Sequence, residues 1–198
     1  GKADMLLAGG VDILSDFCHQ VLGRFRTLSP LDGGIEGGRP FDEARNGCVA
    51  GEAAGMLCLE SRTHAEARGA RIYGDISGWG LSSAPAPLAG WPADARGSRL
   101  ALQRALTSGR LVPADIDLIY AAANGGVALD RLEGEALASV FGSGASAPAV
   151  TAVKGALGES FAGGAVRAVA AALSLAHGRI PPTVGLKTPE APLNHVLV

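Results

Sequence analysis

Lysine is almost missing from this chain: it stands only at positions 2, 154 and 187, and arginine supplies the remaining positive charge. Charged residues make up 18%, the net charge is −2, and no basic stripe is visible, which argues against a nucleic-acid partner. Cysteine is scarce too. Cys18, Cys48 and Cys58 are odd in number and lack metal-ligand spacing, so neither a disulfide framework nor a zinc site is expected. They are predicted to be reduced, mostly buried thiols. No run is long enough to cross a bilayer: the most apolar stretch, 161–176, contains Arg167. No signal peptide is visible, and a soluble cytoplasmic protein is expected. The glycine clusters at 33–38 and 124–126 lack the Lys-Ser/Thr of a phosphate loop, and no dinucleotide fingerprint occurs. No cofactor and no metal are expected.

The chain does have apolar substance. With 198 residues and 47% apolar side chains it makes one domain or one large piece of a domain. Residues 4–10 read as a buried strand of parallel type ending on glycines. Ile13, Phe17, Val21 and Leu22 fall at helical spacing over 12–25. Residues 27–38 carry every turn signal. A buried strand is predicted over 48–60, a short helix over 61–69 and an alternating strand over 71–79. The Pro/Ala/Gly/Ser-rich stretch 80–98 reads as a surface excursion. Beyond it come a helix at 98–108, a strand at 117–122, a helix at 130–141, a strand at 149–153 and a small-residue helix at 160–177. Residues 195–198 look like the start of another strand. Strands alternating with helices predict an α/β architecture with a largely parallel sheet. The helix at 160–177 is apolar nearly all round, so it is expected between layers. A chain that opens into a strand and closes in one is expected to be a fragment, or one of two chains that complete a fold together.

Three groups of residues carry a specific pattern. The first is Arg39-Pro-Phe-Asp42 with Arg45, Gly47, Gly51-Glu52, Leu59-Glu60 and the run 65–70. The second is Lys154 ahead of Gly158. The third is Gly178-Arg-Ile-Pro-Pro182. Together they resemble the second half of the β-ketoacyl synthases, the condensing enzymes of fatty acid and polyketide synthesis. The resemblance implies an α/β thiolase-like αβαβα layered sandwich, here its C-terminal part with the last strand absent. Residues 1–60 would end the N-terminal half, and 61–198 would form most of the C-terminal half.

Active members of that family use a cysteine, which would lie before Gly1, and two histidines that stabilise the enolate formed on malonyl decarboxylation. Such a site needs hydrogen-bond donors aimed at a developing anion. At the first histidine's place, upstream of the matching Asp130 and Glu133, this chain has Ala123 or Asn124. At the second it has Glu159, which at neutral pH offers only acceptors. The resemblance therefore implies degenerate positions at Ala123, Asn124 and Glu159, with no catalytic residue of the chain's own. Lys154, Asp130 and Glu133 would be left as a structural network: Lys154 is expected to pair with Glu159, and the two acids to suit the start of a helix.

The histidines that do occur, His19, His64, His177 and His195, fall elsewhere, and His177 is expected to cap a helix end. Cys48 is read as core filler, and Arg39 and Asp42 as fixing their loop. The run 128–133 is similar to chain length factors, the KSβ subunits of type II polyketide synthases. That resemblance implies a non-catalytic partner in a condensing complex for polyketide or polyene antibiotics. Its partners would be a ketosynthase α subunit, an N-terminal fragment of the same fold and an acyl carrier protein, with no membrane. Two rivals remain open: an active condensing enzyme whose cysteine lies on a separate chain, and a carrier-protein docking scaffold.

Overall fold

The computed structural model describes residues 3–88 and 90–197; Gly1, Lys2, Ala89 and Val198 lie outside them. Two small-residue segments far apart in sequence pair first. Strand β1 (Met5–Asp12) runs antiparallel to β2 (Ala53–Glu60), from Met5 opposite Glu60 to Asp12 opposite Ala53. Helix α1 (Asp16–Arg24) follows β1, its start capped by Ser15 Oγ accepting from Cys18 N–H at 3.2 Å. Helix α2 (Arg62–Ala67) follows β2 and is capped in the same way by Ser61.

Helix α3 (Arg96–Gly109) then packs beside α4 (Val127–Phe141). Strands β3 (Leu118–Tyr120), β4 (Ala149–Thr151) and β5 (Asn194–His195) form a parallel sheet in the order β3-β4-β5. A one-turn helix α5 (Lys154–Leu157) leaves β4, and α6 (Gly163–His177) lies across β1 and β2. Gly55 permits that crossing: a Cβ there would stand 2.9 Å from the backbone of Ala165 and Val166. The core gathers Phe41, Ala121, Ala123, Leu137, Val150, Ala152, Leu186 and Leu193. Its residues come from the 39–47 loop, the parallel sheet, α4 and the 183–193 loop, so the candidate site rests on it.

Several expectations need correction. Residues 4–10 are not a buried parallel strand; β1 is antiparallel, with Leu6 and Leu7 at 59% and 68% exposure. The strand expected over 48–60 starts only at Ala53, because residues 48–51 leave the hairpin to pair elsewhere. Residues 71–79 form no strand: no neighbouring backbone among the described residues offers the segment a ladder. Alternation specifies a pleated face, and only a partner turns it into a sheet. Helix α6 does lie between the two sheets, resting on β1 and β2 and meeting Tyr120 of β3 through Ala170, Ser174 and Arg167, but it is not fully enclosed, since Leu175 is 71% exposed. The thiols are also less buried than expected: Cys48 is buried, Cys18 half-buried and Cys58 exposed. The left-handed Gly178, φ 62°, caps α6, and its N–H donates to Ser174 O at 2.8 Å, so His177 is not the cap.

Candidate functional site

The loop 121–126 leaves β3 and bends on Gly125, φ 94°, into α4. Asp130, in the first turn of α4, fixes this bend from below. Its Oδ1 accepts the N–H of Asn124 at 3.0 Å, and its Oδ2 accepts those of Phe41 at 2.8 Å and Gly125 at 3.1 Å. Burial raises the Asp130 carboxyl above its ordinary value, and the three N–H donors work against that rise. Glu133, one turn on, accepts Ala122 N–H at 2.7 Å. Its other oxygen is buried without a partner among the described residues, and burial pushes this carboxyl up as well. The two acids thus act as buried acceptors that anchor the loop, a different role from solvated charges at a helix start.

Glu159 meets this loop from the other side. Its backbone joins residues 49–51: Glu159 N–H donates to Val49 O at 2.7 Å, and Gly51 N–H donates to Glu159 O at 2.9 Å. Gly51 and Gly158 are needed where these chains touch. A Cβ on Gly51 would stand 2.1 Å from Leu157 O, and Gly158 holds φ 79°. Both oxygens of the Glu159 carboxylate accept hydrogen bonds. Lys154 Nζ, one turn back on α5, lies 2.9 Å from Oε1 and 2.8 Å from Oε2, and Asn124 Nδ2 donates to Oε2. The Lys154 and Glu159 side chains are 10% and 20% exposed.

Asn124, Lys154 and Glu159 therefore come together from the loop before α4, the start of α5 and the turn after α5. Ala123 does not join them; its methyl is wholly buried in the core. Chemically the cluster holds one anion neutralised by one cation and one amide. Its donors point at Glu159, and the one cation among them is already neutralised by that carboxylate before any anion develops on a substrate. Cys48 lies close by, and its thiol is pushed up to about 11 by burial and by the charge of Glu159, which makes it a poor nucleophile. Arg39 donates to Ile35 O at 2.9 Å, and Asp42 accepts Lys187 and Thr188 N–H at 2.7 and 2.8 Å, so both tie loops together.

Two participants were given no site role by the sequence, although Arg45 belongs to the specific pattern around Arg39. Arg45 is buried, donating to Val127 O at 3.2 Å and pairing with Glu190. His195 packs its ring 5.1 Å from Phe41, its nitrogens have no hydrogen-bond partner among the described residues, and burial lowers its affinity for a proton. Each depends on long-range packing, which local pattern does not reveal. Among the described residues no cluster of three or more His, Cys, Asp or Glu side chains could hold a metal ion. No helix there is long and apolar enough to cross a membrane.

The layered α/β fold, and a site built where a β3 loop faces the turn after α5, define a thiolase-like protein of the condensing-enzyme class. The family model "Beta-ketoacyl synthase, C-terminal domain" matches residues 73–187, and "Beta-ketoacyl synthase, N-terminal domain" matches 1–65. The chain belongs to the β-ketoacyl synthase family. It is 36% identical over 196 residues to the mitochondrial 3-oxoacyl-[acyl-carrier-protein] synthase of Arabidopsis thaliana, covering 96% of this chain and 42% of that protein. Among solved structures it is similar to the ishigamide ketosynthase/chain length factor, with 34% identity and TM-score 0.85, covering 98% of this chain and 47% of that one. It is also similar to one chain of the solved complex of a type II polyketide synthase acyl-carrier protein with its ketosynthase, at 26% identity and TM-score 0.87, covering 99% of this chain and 50% of that chain. The chain spans less than half the length of the first of these curated relatives.

Proposed function

We propose that this chain is a non-catalytic, chain length factor-like subunit, or a piece of one. It pairs with an active ketosynthase in type II polyketide or polyene biosynthesis and helps shape the tunnel in which the acyl chain grows. Residues 1–60 and 61–198 are its contributions to the two halves of the thiolase-like fold, and a further N-terminal stretch of the same fold completes the first. The observation that carries the reading is the Glu159 carboxylate tied to Lys154 and Asn124, where an active member places an imidazole. A carboxylate there offers the enolate no hydrogen-bond donor, and it neutralises the ammonium that would otherwise attract the developing anion. The similarity to a ketosynthase/chain length factor structure supports the same reading.

A second reading is favoured by the name of the Arabidopsis relative, a 3-oxoacyl-[acyl-carrier-protein] synthase. In it the chain belongs to an active condensing enzyme whose cysteine lies on another segment, with Glu159 as substitute base. The two separate in one experiment: malonyl-carrier-protein elongation by the whole complex after the ketosynthase partner's cysteine is replaced by alanine. Loss of all elongation fits the non-catalytic subunit. Elongation that survives requires a second active centre and overturns it.

A further inference from the structure

Helices α3 and α4, with the loop over 80–94, surround a cavity of about 430 Å³. Small-molecule sites span about 300–1,000 Å³. Ala105 on α3 and Ala136 on α4 leave the space, because neither carries a side chain beyond Cβ, and Leu102 and Leu137 wall it. None of Asn124, Lys154 and Glu159 lines it, so it is a place apart from the Glu159 cluster.

The polar groups around this cavity are unevenly placed. At its mouth Asp94 is already paired with Arg96, Ser98 is exposed, and Trp91 stands 50% exposed. Inside, Glu133 forms part of the wall beside the buried Ala136 and Leu137. Its Oε1 accepts the N–H of Ala122 at 2.7 Å, and its Oε2 is buried with no hydrogen-bond partner among the described residues. A buried carboxyl oxygen without a donor is costly to keep, so a group that supplies one is held there.

We infer that the cavity binds an uncharged, largely apolar small molecule carrying one hydroxyl group, with the hydroxyl on Glu133 Oε2. Burial holds the Glu133 carboxyl above its ordinary value, and a hydroxyl suits either form of the acid. It donates to a carboxylate and accepts from a protonated carboxyl. The apolar walls favour the rest of the molecule by removing its surface from water. A carboxylate ligand is disfavoured, because its charge would enter an apolar cavity beside an acid. Water alone fits less well: a buried water needs two to four polar partners, and Glu133 is the one polar side chain on the inner wall among the described residues. The same acid anchors loop 121–126 through Ala122, so an occupant also steadies that loop. The site does not depend on the proposed subunit role.

The test is isothermal titration of 1-octanol and of octanoate, used as probes, into the intact complex containing this chain. 1-Octanol is expected to bind about tenfold or more tightly than octanoate. Ala105→Leu, which fills the cavity, should weaken 1-octanol binding by about tenfold or more. Glu133→Gln keeps an oxygen for Ala122 and turns an amide N–H₂ toward the cavity, so the preference for 1-octanol over octanoate should fall by about threefold or more. In the wild-type complex 1-octanol should also shift a tryptophan emission that Trp91→Phe removes, a reading that stands if Ala105→Leu fails to fold. Octanoate binding as well as 1-octanol, or an affinity that neither Ala105→Leu nor Glu133→Gln changes, overturns the inference. So does the absence of 1-octanol binding, the result if another part of the complex fills the cavity.

Discussion

Replacing Glu159 by glutamine removes one charge and keeps the shape. Lys154 would then remain as an ammonium 10% exposed, facing an amide that donates as well as accepts. Glu159 accepts from both Lys154 and Asn124, so one of these donors would meet an N–H₂ group. Breaking a fully buried ion pair costs about 3–5 kcal/mol, while an exposed pair contributes about 0–1 kcal/mol. One-fifth exposure of Glu159 and the amide oxygen that still accepts place Glu159→Gln at about 2–3 kcal/mol of destabilisation. For a chain of 198 residues this lowers the melting temperature by about 5–10 °C. Urea denaturation of Glu159→Gln, Lys154→Met and the double variant measures the coupling directly. The double variant should be more stable than the sum of the singles by over about 1 kcal/mol, because no charge is left unpaired. A Glu159→Gln loss below about 0.5 kcal/mol, or strict additivity, would refute a structural role for the pair.

Other consequences follow from the same geometry. Asp130→Ala leaves the buried N–H groups of Phe41, Asn124 and Gly125 without acceptors and should cost over about 3 kcal/mol in urea denaturation. Burial raises Glu133 above its ordinary 4.5, so the folded chain holds that proton more tightly than the unfolded one. Its contribution is fully present below the unfolded value and is lost as pH rises through the folded one; Glu133→Gln should therefore lessen the fall in urea midpoint between about pH 5 and about pH 8. Gly51→Ala drives a methyl to 2.1 Å from Leu157 O and should lower the melting temperature more than Gly164→Ala, where no atom lies within 4 Å. Iodoacetamide near neutral pH should alkylate Cys58 and Cys18 in the folded chain while sparing Cys48, whose thiol is pushed up to about 11; peptide mapping reads the order.

The fold was legible wherever one segment carries its own signal. Helices α3, α4 and α6 stand close to their predicted positions, because periodicity and glycine stops are local. Strand partners were not legible. Nothing in residues 4–10 says that they pair antiparallel with 53–60, and the alternation of 71–79 promised a ladder that no described neighbour provides. At the site, Lys154 and Glu159 lie five residues apart, so a short helix was enough to bring them together. Asn124 reaches them because Asp130 holds the loop while also accepting the N–H of Phe41, and Gly47 N–H donates to Gly125 O, a long-range arrangement.

The most direct measurement is the turnover of malonyl-carrier-protein decarboxylation and elongation by the intact complex, with wild-type chain and with Glu159→Gln, complex integrity being followed by native mass. The account predicts an unchanged chemical rate per intact complex, since the Glu159 carboxylate serves Lys154 and Asn124 and not the substrate. Turnover abolished while the complex stays whole would make Glu159 a reacting group and contradict it.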